Sequence, residues 1–69
     1  MEKVDVRGLS CPMPVIKTKK LMDKGVRELL VVGTSSVSKE NVSKLARTSG
    51  YQVTMKEDDK NEWEMELRK

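Results

Sequence analysis

The side chain in this 69-residue chain that can take part in the widest range of reactions is that of its single cysteine, Cys11. A thiol attacks other atoms as the thiolate, so its reactivity depends on surroundings that lower its pKa. The chain contains no histidine, which excludes Ser-His-Asp catalysis, Cys-His catalysis and histidine-ligated metals. One cysteine cannot form an internal disulfide. Cys11 is therefore the candidate catalytic residue, and neither a metal nor a cofactor is expected.

The residues around Cys11 predict a junction between a strand and a helix. Pro12 and Pro14 lie close together, and such a pair is tolerated at a helix start, where the first N–H groups have no intrahelical partner. The helix dipole is positive at this end, and Arg7 lies nearby, so the thiol pKa should be lowered. The turn at residues 8–10 predicts partial exposure of the thiol, while an inert space-filling cysteine is the plainer alternative.

Charge is distributed unevenly along the sequence. The first 27 residues carry seven Lys/Arg against three Asp/Glu, whereas residues 55–69 carry four against six. This asymmetry predicts an anionic partner near the first third of the chain, unless the lysines simply solvate a helix face. Met13 and Ile16 are predicted on the outer flank of the first helix, next to Lys17 and Lys20. An apolar pair ringed by lysines indicates a docking patch.

Hydropathy patterns predict four strands and two helices. Alternating apolar residues indicate the first, third and fourth strands, and a continuous apolar run indicates a central second strand. Gly25 and Gly50 are predicted to end the two helices. The predicted elements are a strand at 2–7, a helix at 12–24, a strand at 28–33, a helix at about 39–49, and a hairpin that starts at Tyr51 and ends near Arg68.

The order β-α-β-α-β-β predicts an α+β two-layer sandwich. Two right-handed crossovers place both helices on one face of a four-stranded mixed sheet, in one domain over residues 1–69. Charged residues are expected on the other face, where Leu29 and Val31 would form an exposed apolar stripe. The sequence has neither a signal peptide nor a membrane span, which together with the lone cysteine predicts a cytoplasmic protein.

A lone thiolate without histidine can attack a sulfur atom brought by a partner, hold it as a persulfide and pass it on. The residues therefore favour a carrier over a self-sufficient enzyme. A small basic RNA-binding module is one alternative, disfavoured because the aromatic residues are Tyr51 and Trp63, and Trp63 is predicted on the dry face of the sheet. A regulatory interaction domain with a modifiable thiol is another.

Residues 4–20, with the pattern D-x-R-G-x-x-C-P-x-P, closely resemble the start of the TusA/SirA/YedF family of sulfurtransferase domains. Residues 40–42, 45–46 and 50–51 look closer to the YedF-like branch. That branch often carries a second, DsrE-like domain, so this chain is either a stand-alone carrier or an excised domain. Many relatives have an acidic pair after the second strand, where this chain has Gly-Thr-Ser at 33–35, which leaves the partner's identity open.

The resemblance implies that Cys11 accepts sulfane sulfur from a cysteine desulfurase or another sulfurtransferase. It further implies transfer to a DsrE-like or other acceptor protein. The pathways implied are tRNA thiolation, molybdenum-cofactor synthesis or related sulfur and selenium metabolism. No membrane partner and no direct nucleic-acid binding are expected.

Overall fold

The computed structural model describes residues 2–9, 13–59 and 61–69. Its strands form one sheet in the order β1-β2-β4-β3. Strand β1 is parallel to β2, and β4 is antiparallel to both of its neighbours. The predicted order of elements and the mixed α+β sheet are therefore confirmed. The elements are β1 (Glu2–Asp5), α1 (Met13–Asp23), β2 (Glu28–Gly33), α2 (Ser36–Thr48), β3 (Gln52–Asp58) and β4 (Trp63–Arg68).

Helix α1 buries a face that includes one polar residue. Pro14 and Thr18 are its buried residues, and the Thr18 hydroxyl donates to the Pro14 carbonyl oxygen at 2.8 Å. Because that hydroxyl has a partner, its burial carries no unsatisfied donor. Gly25, with φ of 86°, follows the helix as predicted, in a conformation that glycine adopts without steric strain.

Helix α2 begins earlier than the hydropathy pattern predicted. Ser35 caps it, with its hydroxyl oxygen accepting from the Ser38 N–H at 3.3 Å. The first buried residue of the helix is Ser38, followed by Val42 and Ala46. Because the first buried residue of the helix is a serine, the spacing of apolar residues does not reveal the first turn of α2. The predicted start was therefore too late.

The hydrophobic core lies between the two helices and one face of the sheet. The pairings of Val4 with Val31 and of Val31 with Met65 place these side chains on that face. The buried core residues come from β1, β2, α2 and β4 and from the positions just after β1 and just before β3, and Leu21 and Met22 of α1 pack against them. The buried apolar members of the core are Val4, Val6, Leu29, Val31, Val42, Ala46, Tyr51, Trp63, Met65 and Leu67.

The predicted exposure of Leu29 and Val31 is wrong. Both side chains are 0% exposed and belong to the core. Leu30 and Val32 take the opposite face, since Val32 pairs with Asp5 and Glu64. A shift of one residue exchanges the two faces of a strand. A run of four aliphatic residues does not indicate which face of the sheet each residue takes. The pairing with the neighbouring strands decides it.

Strand β3 lies at an edge of the sheet, and this position changes the environment of its apolar residues. Met55 was expected on the dry face but is exposed, while Val53 is half-buried. The strand also has an irregular register between Met55 and Glu57. In the described part of the chain, neither helix is long and apolar enough to cross a bilayer.

Candidate functional site

Two connections of the same kind meet at one edge of the sheet. Because β1 and β2 are parallel, their carboxyl ends lie side by side, and each strand leads into a helix. Residues 6–12 join β1 to α1, and residues 34–35 join β2 to α2. Cys11 belongs to the first connection. It lies outside the described residues, as does Pro12, so the site is built from the residues on either side of them.

The described start of α1 favours a negative charge ahead of it. The helix begins at Met13, and Pro14 is its second residue. Proline lacks an N–H at a position where the helix has no acceptor for one, so the hydrogen-bond ladder loses nothing. The first turn of α1 holds no acidic residue. The positive end of the helix dipole therefore has no carboxylate of its own helix beside it, and an anion close to this end would be stabilised.

The side chain of Lys17 places a positive charge near this edge of the sheet. Its Nζ atom donates to the Asp5 carbonyl oxygen at 2.9 Å. That carbonyl belongs to the last residue of β1, so the ammonium group lies where the connection to Cys11 begins. The charge of Lys17 also acts on the Asp5 carboxylate and contributes to the lowering of its pKa.

Arg7 has a different environment from Lys17. Its Nε and Nη2 atoms donate to the two Asp5 carboxylate oxygens at 3.0 and 2.8 Å, and its backbone N–H donates to Asp5 at 3.0 Å. These bonds hold the pKa of Asp5 well below its usual value and raise that of Arg7. Nη1 also lies 3.9 Å from Glu62. Arg7, which the sequence predicts near the thiolate, thus interacts with two carboxylates, those of Asp5 and Glu62.

Met13 and Ile16 are exposed on α1, and so are Lys17 and Lys20. The structure therefore places all four predicted docking residues on one helix with open side chains. Their role in docking stays a prediction.

The sequence analysis missed two residues at this edge. Val37, in the first turn of α2, is exposed; an apolar residue inside a polar connection was the available signal. Glu62 approaches Arg7 from the β3–β4 hairpin, and no local pattern indicates a contact between residues so far apart in sequence.

The start of α2 is a closed, capped structure. The Trp63 Nε1 atom donates to the Ser35 carbonyl oxygen at 2.8 Å, and Lys39 forms an ion pair with Asp58 at 3.0 Å. Both contacts join the helix start to the hairpin. A shallow groove of about 280 Å³ lies beside them, lined by Thr34, Ser36, Lys39, Asp58, Asp59 and Trp63.

Comparison with known proteins identifies this architecture. The family model for the sulfurtransferase TusA matches residues 2–69. A protein assigned as a sulfur carrier in Methanocaldococcus jannaschii is 37% identical over 100% of this chain and 95% of its own length. Another assigned sulfur carrier, from Halobacterium salinarum, is 37% identical over 99% of this chain and 88% of its own.

A solved structure agrees with these relatives. The crystal structure of a SirA-like protein from Desulfitobacterium hafniense superposes with a TM-score of 0.82 at 32% identity, covering 99% of this chain and 96% of that one. The fold and the thiol-bearing connection define a small sulfur-carrier class of protein. Within that class, the chain belongs to the TusA family of sulfurtransferases.

Proposed function

We propose that this protein carries sulfur as a persulfide on Cys11, taking it from one protein and handing it to another. The observation that carries the proposal is the start of α1. There, a helix end without an acidic residue and the Lys17 ammonium group both favour a thiolate in the connection that holds Cys11. The family match over residues 2–69 includes this connection.

The chemistry of loading is an exchange between thiolate and persulfide. The Cys11 thiolate attacks the outer sulfur of a donor persulfide, and a new S–S bond forms on Cys11. The S–S bond of the donor breaks, and its electron pair leaves on the donor's own thiolate. The proton on the outer sulfur stays with that sulfur. The step needs no outside oxidant or reductant, and unloading is the same exchange with the acceptor's thiolate.

This cycle requires two protein partners, a sulfur donor and a sulfur acceptor. The proposed donor is a cysteine desulfurase or another sulfurtransferase, and the proposed acceptor is a DsrE-like or other thiol protein. Met13, Ile16, Lys17 and Lys20 form the proposed docking face. The cycle requires a reduced thiol, so we place it in the cytoplasm, with residues 1–69 acting as one carrier unit. Delivery to tRNA thiolation, molybdenum-cofactor synthesis or related sulfur metabolism is the proposed purpose.

The structure gives the RNA-binding alternative little support. Trp63 is 2% exposed and Tyr51 is 6% exposed. The Tyr51 hydroxyl donates to the Val26 carbonyl oxygen, which fixes that ring within the fold. Neither aromatic ring therefore offers a platform on which bases can stack.

The test is to load the protein with sulfur in the absence of any partner. After incubation with inorganic polysulfide, the wild-type mass should rise by one sulfur atom, and dithiothreitol should reverse the change. Cys11→Ser should show no adduct while its circular dichroism spectrum stays native. An adduct on Cys11→Ser, or no adduct on the wild type, would overturn the proposal.

A further inference from the structure

We propose that the groove between α2 and β3 binds a short extended segment of a partner protein, with apolar side chains in its middle and a carboxylate at one end. The groove measures about 350 Å³. None of its lining residues takes part in the persulfide chemistry proposed above, so the inference goes beyond the proposed function and is tested separately. The lining residues are Lys39, Glu40, Ser43, Arg47, Val53, Met55 and Met65.

The apolar side of the groove lies on the outer strand of the sheet. On β4, Met65 and Leu67 are fully buried. Their partners on β3 are Met55 and Val53, of which Met55 is 38% exposed and Val53 is half-buried. The helix side of the sheet is therefore dry at β4 and accessible to solvent one strand further out. Exposed apolar surface in a concave site favours the binding of apolar groups.

The other side of the groove is a flank of α2 that carries hydrogen-bond donors. Lys39, Ser43 and Arg47 follow one another at intervals of four residues, so they lie in a row along the helix. With a rise of about 1.5 Å per residue, the row is about 12 Å long. An extended chain covers this length with about four residues. The groove therefore matches an extended segment of that size.

The charges in the groove differ between its two ends. At one end, Lys39 forms an ion pair with Asp58 at 3.0 Å, and Glu40 adds a further negative charge. At the other end, Arg47 forms no ion pair with any residue that the structure describes. Glu40 lies about 10 Å away from Arg47 along the helix. A carboxylate therefore fits the Arg47 end, because guanidinium binds carboxylate with two parallel hydrogen bonds.

The groove is accessible to solvent along its length, which favours a protein segment over a small molecule. Sites that hold small molecules enclose most of the ligand's surface. This groove has a volume at the small end of the range for such sites, and Met55 in its lining stays exposed. A free ligand would make few contacts outside the groove, whereas a segment of a protein gains further contacts on either side of it.

The groove lies away from the connection that holds Cys11. It lies beside β3, whereas that connection starts at the end of β1, and β2 and β4 separate these two strands. Three strand spacings amount to about 14 Å. A partner held in the groove therefore leaves the Cys11 connection uncovered. The groove would raise the affinity of a partner without taking part in the transfer of sulfur.

The experiment measures the binding of short peptides by NMR. The probes are the capped peptide acetyl-Ser-Leu-Thr-Leu-Glu-Gly-amide and the capped peptide of reversed sequence, so that both chain directions are covered. At least one should shift the backbone signals of Ser43, Arg47 and Met55 and leave that of Lys17 in place. The dissociation constant should be on the order of 1 mM, because the contact is far smaller than a standard protein interface. Absence of these shifts with both peptides would overturn the inference.

Two variants test the two sides of the groove. Arg47→Glu should weaken peptide binding roughly tenfold, because it replaces the partner of the carboxylate with a like charge. Met55→Gln keeps a side chain of similar length and should weaken binding severalfold, because it removes an apolar contact. Met55→Gln leaves α2 unaltered, so it tests the site even if Arg47→Glu impairs the end of that helix. Wild-type affinity in Met55→Gln would contradict the assigned apolar contact.

Arg27→Glu is the matched control for Arg47→Glu. Arg27 is also exposed, does not line the groove and forms no ion pair within the described part of the chain. Its substitution changes the net charge by the same amount and should leave peptide binding unchanged. An equal loss of affinity in both variants would mean that the peptide responds to net charge, and it would overturn the site.

Further probes test the chemistry assigned to the occupant. Equally tight binding of peptides with lysine in place of glutamate would overturn its acidic character. Equally tight binding of 4-methylpentanoate, a free carboxylate with a leucine-like body, would overturn the assignment of a protein segment. Arg47→Glu should load from inorganic polysulfide as the wild type does, since the groove lies away from Cys11. If the wild type binds peptide but does not load from polysulfide, the proposed function fails while this inference stands.

Discussion

The two connections from strand to helix share an edge of the sheet but differ in how they are built. At α2, Ser35 caps the helix, and Trp63 binds the cap residue through its indole N–H. At α1, Pro14 lies in the first turn, and Met13 is left exposed. One start satisfies a free N–H group with a side-chain cap. The other replaces an N–H with a proline ring and presents apolar surface to solvent.

The comparison shows that the positive end of a helix is not by itself enough for the proposed function. Neither first turn has an acidic residue, so both helix dipoles favour an anion equally. What distinguishes the α2 start is closure: Ser35 caps it and Trp63 binds the cap residue, whereas Met13 is exposed at the described start of α1. We therefore expect the two starts to respond differently when each is altered.

The sharpest test moves the thiol from one start to the other. A protein with both Cys11→Ser and Ser35→Cys has a thiol at the cap of α2, under Trp63. Loading from a protein donor should fall about 100-fold below wild type, as expected for a misplaced reacting group. The rate is measured by mass spectrometry, and Ser35→Cys with Cys11 intact controls for loss of the cap. Wild-type loading of the double variant would remove the distinction between the starts.

The next test concerns the glycines at the two connections. A Cβ atom on Gly33 would lie 2.3 Å from the Trp63 ring, and overpacking of this kind costs about 1–3 kcal/mol. Gly8 has φ of 75° and nothing within 4 Å of the added atom, so Gly8→Ala introduces only backbone strain, about 1 kcal/mol. Urea unfolding should therefore rank Gly33→Ala as the less stable variant.

A second measurement makes this ranking specific to the α2 start. The Trp63 fluorescence of native Gly33→Ala should differ from wild type, since the ring must shift, while that of Gly8→Ala should not. The reverse order of stabilities would show that the first connection, rather than the second, is the tightly packed one.

The smallest expected effect is the response of the first connection to acid. Asp5 has a lowered pKa in the folded protein because of Arg7. The stability it contributes is therefore complete above the unfolded pKa of about 4 and is lost as pH falls through the lower folded value. In an NMR titration from neutral to acidic pH, the Arg7 amide signal should move only below the range in which an ordinary aspartate titrates, about pH 4, because its acceptor Asp5 stays ionised there.

Asp5→Asn should abolish this low-pH movement of the Arg7 signal. Asp23→Asn, which removes an exposed partner of Lys19, should leave it unchanged and serves as the control. Movement of the wild-type Arg7 signal at about pH 4 would contradict the lowered pKa of Asp5.

Much of the fold was predictable because local signals agreed with one another. Gly25 and Gly50 ended the helices as predicted, and the alternation of Trp63, Met65 and Leu67 placed β4 correctly against the core. The errors arose where a residue's surroundings come from distant parts of the chain. The face of Leu29 depends on the register with β1 and β4, and the exposure of Met55 depends on β3 being an outer strand.

The candidate site divides in the same way. The chemistry of Cys11 and the helix start after it follow from residue types within a few positions. The partners of Arg7 do not, since Glu62 belongs to another element and reaches Arg7 only through the folded sheet. Val37 offered a local signal, an apolar residue within a polar stretch, but its exposure depends on where α2 begins.

The outer position of β3 bears on whether copies of this protein associate with one another. Unpaired strand edges recruit further strands and lead to fibrils, and charged side chains and bulges are known deterrents. Here β3 carries Lys56, Glu57 and Asp58 in succession beside its irregular register. These charges and the irregular register disfavour pairing of one copy of the protein with another through this edge.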